Sequence, residues 1–331
     1  MTVLLPLIQA KSGSDTFTTS LASHLNHFGT VADILPLPGW SAFFPSVAGR
    51  LHKPSGQEII HASTWNAFAF KQDNPLIATE FHLVQDPVFK PSMTMAQRIY
   101  HRYGLAYKQK SISCADQVIC ISRYTQKMVE HIFGYSDTAM IYCGIDINRF
   151  RPNSRKEQLI DDNRTVLLYA GNFLTRKGVD LLIPIMNLLG DSYVLLTTTG
   201  LRTKNTLYHK NIIPLGKVPD CVLADVYNGC DIFLSPSRLE GFGLCVGEAM
   251  ACAKPIVTTN HSSLPELVLQ DKGGILCEVN NIHAYADAIR YLAADENLRA
   301  DMGQFNRQRV CEKFTLDKMA REHIRIYNKY W

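Results

Sequence analysis

Two carboxylates with seven residues between them frame a glycine-rich turn in the stretch Ser235 to Ala253, SPSRLEGFGLCVGEAMACA. Glu240 directly precedes Gly241, Phe242 and Gly243, Leu244 opens the run that follows, and Glu248 lies beyond it. Residues 231–235 are a short apolar run ended by Pro236, which reads as a buried strand leading into a loop. Leu244, Val246 and the stretch from Ala249 to Cys252 read as a small-residue helix able to pack close to a sheet. Glycines at such a strand-to-helix junction expose backbone N–H groups at the positive end of a helix dipole, a setting suited to phosphate. An acid beside an anion is unfavourable unless it has other partners, such as sugar hydroxyls next to the phosphates. The pairing points to a nucleotide sugar.

Duller readings stand beside this one. The spacing of Gly241, Gly243 and Gly247 is one residue too long for the dinucleotide fingerprint. Glycines for a tight turn and acids on a solvated helix face would make the stretch purely structural. A nicotinamide-dependent dehydrogenase would need its glycine fingerprint after the first strand of a domain, yet residues 8–15 offer only Gly13.

Two glutamates at this spacing, with Gly-Phe-Gly after the first and Pro-Ser shortly before it, resemble the acidic signature of retaining glycosyltransferases of the GT-B fold, family four. Other segments extend the resemblance in the expected order. Gly171-Asn-Phe-Leu-Thr-Arg176-Lys177-Gly178 is similar to the family's Gly-Arg…x-Lys-Gly element, with Asn172 where many relatives have arginine. Lys217 and Val218 sit at a strand end where, in the family, backbone groups meet the nucleobase. Leu264-Pro-Glu266 resembles a Pro-Glu-x-Val segment, and residues 143–152 resemble the stretch that leads into the domain connection. His82, just past a mid-domain strand, occupies the place of a histidine that reaches the donor sugar at an interdomain cleft. In the family the first loop is richer in glycine and faces the acceptor; here Gly13 alone is present, and it joins the donor-site candidates.

The resemblance implies an α/β protein of GT-B architecture, two doubly wound Rossmann-like domains facing a central cleft. The alternation of apolar strands and amphipathic helices agrees: residues 2–7 and 31–35 read as strands around a helix at 17–28. At 331 residues and 46% hydrophobic, the chain suits two domains of about 150 residues each. The polar run 153–163 predicts the linker, giving an acceptor-binding domain over 1–154 and a donor-binding domain over 155–331. The final helix, about 315–331, crosses back to the first domain in the family. By resemblance, Glu240 orients sugar hydroxyls, Glu248 accepts from the ribose, and Arg176 and Lys177 neutralise the leaving diphosphate. Gly171 and the N–H groups from Gly241 to Leu244 complete the donor site, and His82 closes over the sugar. UDP is the expected nucleotide, with GDP second.

Composition excludes other classes. A net charge of +4, without a dense basic stripe or a known module, gives no reason to expect nucleic acid. The nine cysteines form no CxxC pair, and no histidine cluster has zinc spacing, so neither metal nor cofactor is expected. The chain has no Asp-x-Asp pair of the kind that holds a cation in many GT-A enzymes. The cysteine pattern, the lack of a basic leader and the lack of an apolar run near about 18 residues predict a reduced, cytoplasmic protein, with a peripheral place at the inner membrane surface as an open option.

Two stretches of the first half stand out. Pro36, Pro38, Pro45 and Pro54 forbid regular structure over much of 36–56, where Trp40, Phe43 and Phe44 are costly to leave in water. Residues 96–113 read as a helix carrying Arg98, Arg102, Lys108 and Lys110 among Tyr100, Tyr103 and Tyr107, with Gly104 weakening it. A core-covering loop and a solvated helix face are the plain readings. Peripheral contact with an anionic membrane, presenting a glycan or lipid-linked acceptor, is the other.

Overall fold

The computed structural model describes residues 1–9, 12–51, 58–153, 163–199 and 207–331. Most of the expected linker at 153–163, together with Lys11 and Pro54, lies outside the described residues. Two compact units emerge, one of Met1–Gly144 with Leu316–Trp331 and the other of Ile145–Thr315.

In the first unit, β1 (Thr2–Ile8), β2 (Val31–Leu37), β3 (Ile59–Ser63), β4 (Leu76–Glu80), β5 (Gln117–Cys120) and β6 (Thr138–Met140) form one sheet in the order β2-β1-β3-β4-β5-β6. All five pairings are parallel. Residues such as Ile59, Ile60, Leu76 and Ile77 are fully buried, as expected where helices cover both faces. The helices are α1 (Gly13–His27), α2 (Pro45–Leu51), α3 (Met95–Cys114) and α4 (Arg123–Phe133). The chain's last helix packs against α1 in this unit, where the Tyr327 hydroxyl lies 2.6 Å from His61 Nδ1.

The second unit repeats the plan with β7 (Thr165–Gly171), β8 (Tyr193–Thr199), β9 (Ile212–Gly216), β10 (Ile232–Ser235), β11 (Ile256–Thr259) and β12 (Gly274–Cys277). Their order is β12-β11-β10-β7-β8-β9, again parallel throughout. Its helices are α5 (Val179–Leu189), α6 (Leu223–Gly229), α7 (Leu244–Ala251), α8 (Leu264–Leu267), α9 (Ile282–Ala293) and α10 (Glu296–Lys313); α11 (Leu316–Tyr327) belongs to the first unit. Leu182, Ile185, Leu195, Ile232, Tyr285 and Ile289 form a buried core between sheet and helices.

Three expectations are corrected. Residues 45–51 are a helix because Pro45 is its first residue, where a missing N–H costs nothing, and Gly49 lets it lie against the Ala69 carbonyl. The first helix begins at Gly13 rather than Phe17, so the polar residues 13–15 belong to its first turn. Gly104 does not weaken α3 without return: a Cβ there would sit 2.3 Å from the Trp65 ring, so glycine admits that indole, and Thr94 with Gln97 forms a capping box. Helix α10 had no sequence reading, since its buried face is Met302, Gly303, Asn306 and Val310 rather than an apolar stripe.

Candidate active site

The second sheet has one topological switch point. From β7 the chain moves outward through β8 and β9, then returns to the other side of β7 as β10 and continues to β11 and β12. Loops leaving the carboxyl ends of β7 and β10 therefore diverge, opening the crevice where parallel α/β sheets bind ligands. Those loops are residues 172–178 and 236–243, the two segments singled out by their chemistry.

Both loops are shaped by glycine. Gly178 has φ +69°, and a Cβ on it would stand 2.0 Å from the Pro236 carbonyl oxygen, so only glycine lets the Arg176–Lys177 turn touch the loop after β10. Gly178→Ala is expected to cost roughly 2–4 kcal/mol of stability through left-handed strain and overlap. Thermal unfolding measures it, and an unchanged melting temperature would mean that the loops are not in contact. Gly243, at φ +101°, is the N-cap of α7 and offers no side chain to its first amides, which lack intrahelical acceptors.

Glu240 is the centre of the cluster, buried at 6% exposure. Its Oε1 accepts from Lys177 Nζ at 2.5 Å and from Ser237 Oγ at 3.0 Å, while Oε2 accepts from Arg176 Nη1 at 3.3 Å. Arg176 Nη1 also donates to the Leu239 carbonyl at 2.5 Å. Ser262 Oγ receives the Glu240 N–H at 3.1 Å, and Ser263 Oγ donates to the carbonyls of Glu240 and Phe242. Burial alone would raise the Glu240 pKa, but the Lys177 and Arg176 charges with their hydrogen bonds outweigh it and hold the carboxyl below its ordinary range.

Glu248 is tuned the opposite way. Half-buried on α7, it accepts from the Tyr227 hydroxyl at 2.7 Å, and burial pushes its pKa up to about 7. Tyr227 is fixed between Phe150 and Phe233, whose rings lie 5.7 and 5.6 Å away. One carboxyl is thus paired and held below its ordinary range, while burial raises the other to about 7.

The structure brings Arg176, Lys177, Glu240, Gly241, Phe242, Gly243 and Leu244 together at the β7/β10 junction, with Glu248 farther along α7. Gly171 ends β7 at φ +148°. Lys217 and Val218 follow β9, on the opposite side of β7 from β10, the first exposed and the second half-buried. Gly13 and His82 belong to the first unit, Gly13 exposed at the start of α1. The backbone of His82 is clamped at both ends: its N–H donates to Glu80 Oε1 at 2.9 Å, and its carbonyl accepts from Lys108 Nζ at 2.7 Å. Glu80 is fully buried and paired with Lys108 at 2.5 Å.

Sequence reasoning missed Ser237, Arg238, Asp180, Tyr227, Ser262 and Ser263. Arg238 stands two residues from Glu240 in the same loop, and its partner Asp180, in the first turn after Gly178, is brought to it by the fold alone. Ser262 carried no signal; it adopts a φ of +57° and meets Glu240 across 22 residues of chain.

Comparison with known proteins covers both halves. Residues 150–309 match the model for glycosyl transferases group 1, and residues 16–149 match that for Glycosyltransferase Family 4. Among curated relatives, the capsular polysaccharide biosynthesis glycosyltransferase CapM of Staphylococcus aureus is 27% identical over 256 residues, covering 69% of this chain and 66% of CapM. The chain spans about two thirds of the length of curated relatives such as CapM. Among solved structures, sucrose-phosphate synthase from Thermosynechococcus elongatus superposes with a TM-score of 0.88 at 19% identity, covering 99% of this chain and 98% of that one. Anabaena HepE in complex with UDP and glucose gives 0.75 at 16% identity, covering 98% and 99%. At these identities the likeness establishes the fold, which is GT-B.

Proposed function

The chain belongs to family four of the glycosyltransferases, and we propose that it transfers a hexose from a nucleotide diphosphate sugar, with retention of anomeric configuration, to a glycan or lipid-linked acceptor. The observation that carries this reading is the Glu240 carboxylate held between Lys177 and Arg176 at the switch point. UDP is the preferred nucleotide and GDP the second; the UDP and glucose in the HepE complex support the choice.

Cleavage of the sugar–phosphate bond passes through an oxocarbenium-like transition state in which charge builds on the departing diphosphate. Lys177, Arg176 and the amides at the start of α7 are placed to stabilise that charge, the role that a divalent cation fills in other designs. Once the phosphates occupy the cations, the Glu240 carboxylate is free to accept from sugar hydroxyls, and Glu248 accepts from the ribose. The role of His82 at the sugar rests on the family resemblance. A panel of UDP- and GDP-sugars with an analysis of released nucleotide tests the reading. Release from at least one donor is expected; binding without release would make the chain a nucleotide-sugar-binding protein instead.

The acceptor side rests on the first unit, by itself. There the aromatic turn and α3 form one surface: Trp65 Nε1 donates to the Ala42 carbonyl, Tyr107 hydroxyl to the Phe43 carbonyl, and the Phe43 and Tyr100 rings lie 6.0 Å apart. Phe43, Phe44, Met95, Ile99 and Tyr103 are 57–73% exposed on it. Arg98, Arg102 and Lys110 are exposed as well, and no acid interrupts residues 87–115. We assign this face to an anionic lipid leaflet. Lys108 is engaged with Glu80 and drops out of the basic set. Co-sedimentation with phosphatidylserine vesicles should weaken with salt, and Arg98→Gln, Arg102→Gln and Lys110→Gln together should lower binding about 100-fold, at roughly 1 kcal/mol per charge. Equal binding to neutral vesicles, or no loss in the triple variant, would assign a water-soluble acceptor.

A further inference from the structure

One buried guanidinium ties three loops of the second unit together. Arg238, on the loop after β10, donates from Nε to Asn280 Oδ1 at 2.7 Å, in the connection between β12 and α9. Its Nη1 donates to the Thr175 carbonyl at 2.5 Å and to Asp180 Oδ1 at 2.7 Å, and its Nη2 to Asp180 Oδ2 at 2.6 Å. The Arg238 side chain is 6% exposed and that of Asp180 49%. The Arg238 N–H donates to the Arg176 carbonyl at 2.9 Å, in the same turn that carries both cations.

We propose that Arg238 and Asp180 are positioning residues for sugar transfer, their two-pronged pair fixing where the Arg176 and Lys177 charges stand relative to Glu240. The inference rests on the nucleotide-sugar reading of that site. Buried ion pairs contribute little to stability beyond what apolar side chains of similar size would give. What a planar guanidinium adds is direction, because its donors leave in fixed orientations and hold a bidentate carboxylate in one geometry. Here the same Nη1 that meets Asp180 also grips the carbonyl of Thr175, the residue before Arg176. The cations lie in a three-residue turn, Thr175–Lys177, whose own hydrogen bonds are few, so its placement depends on what holds it from outside. Asn280 supports the guanidinium from the far side at φ +64°, a left-handed conformation that asparagine tolerates better than most residues. Displacing a catalytic charge by about 1 Å can cost about 10²-fold in rate.

The test is a pair of double-mutant cycles read by nucleotide-sugar kinetics. Asp180→Asn keeps shape and removes the charge, and Arg238→Lys keeps the charge and removes the fork. Each is measured alone and in the Lys177→Ala background. If the pair acts through the placement of Lys177, each single variant lowers kcat about tenfold while KM moves by less than about threefold. In the Lys177→Ala background the same substitutions then add almost nothing. Losses of equal size in both backgrounds, or an unchanged kcat in both single variants, overturn the proposal. Should one variant fail to fold by thermal unfolding, the other decides. A wild type that releases nucleotide from no donor overturns the reading of the site itself, whereas an active wild type with additive losses overturns only the positioning role.

Discussion

Glu240→Gln is expected to lower sugar transfer by about 10²-fold or more while leaving UDP, without its sugar, bound as tightly as before or tighter. In the free protein the carboxylate occupies both cations, Lys177 at 2.5 Å and Arg176 at 3.3 Å. In the proposed reaction a diphosphate displaces it, so the acid would compete with the phosphates for the charges it sets in place. Neutralising it removes that competition together with the acceptor for the sugar hydroxyls. The same substitution leaves two largely buried cations without their carboxylate, so the nucleotide-free variant should melt earlier by about 1–3 kcal/mol, and saturating UDP should restore much of the loss. Turnover and calorimetric affinity measured on one preparation separate the two effects. A parallel fall in UDP affinity and turnover would mean that Glu240 holds the nucleotide rather than the sugar.

The second large effect concerns pH. Burial raises the Glu248 carboxyl to about 7 in the folded protein, against 4.5 for an unhindered glutamate. The stability it contributes is therefore complete below about pH 4.5 and is lost as pH rises through 7, because the unfolded chain gives up the proton more readily. At pH 8 the nucleotide-free Glu248→Gln variant should be the more stable, by on the order of 2 kcal/mol. Binding moves the other way. Ribose hydroxyls donate to the ionised form, so wild-type affinity for UDP should rise between pH 6 and 8, and the variant should bind about tenfold more weakly at pH 8 with a flat profile. The groups around it are Tyr227, which donates to it, and the charges of Arg149, Asp220 and Lys177. Calorimetric titration across that range checks the slope; a pH-independent wild type would remove Glu248 from the ribose.

Much of the candidate site was legible because its residues are local in sequence. Glu240, the glycines at 241 and 243 and Glu248 occupy one strand-to-helix junction, and Arg176 and Lys177 another, so strand ends alone put them on the same edge of a parallel sheet. The strands at 2–8, 76–80 and 165–171 announced themselves as apolar runs between turn residues. What stayed hidden depends on contacts distant in the chain. Arg238 acquires its meaning only from Asp180, 58 residues away, and Thr175, 63 residues away. Lys108 read as one basic side chain among four, yet it reaches 28 residues back to a fully buried Glu80. Helix α2 was obscured by the very proline that starts it, and α10 by a buried Asn306 whose amide bonds to the Lys254 and Gly273 carbonyls instead of completing an apolar stripe.

On the proposed function, the Arg176–Lys177 turn beside Glu240 grips a nucleotide diphosphate. Calorimetric titration of UDP and GDP, with uridine and guanosine as controls, into wild-type protein and Lys177→Ala tests it most directly. One diphosphate should bind the wild type and lose about tenfold or more in affinity in the variant, at more than about 1.4 kcal/mol, while its nucleoside, lacking phosphates, binds both proteins alike. Equal affinity of wild type and Lys177→Ala for the diphosphate, or binding of neither nucleotide to the wild type, would mean that this turn is not a diphosphate site.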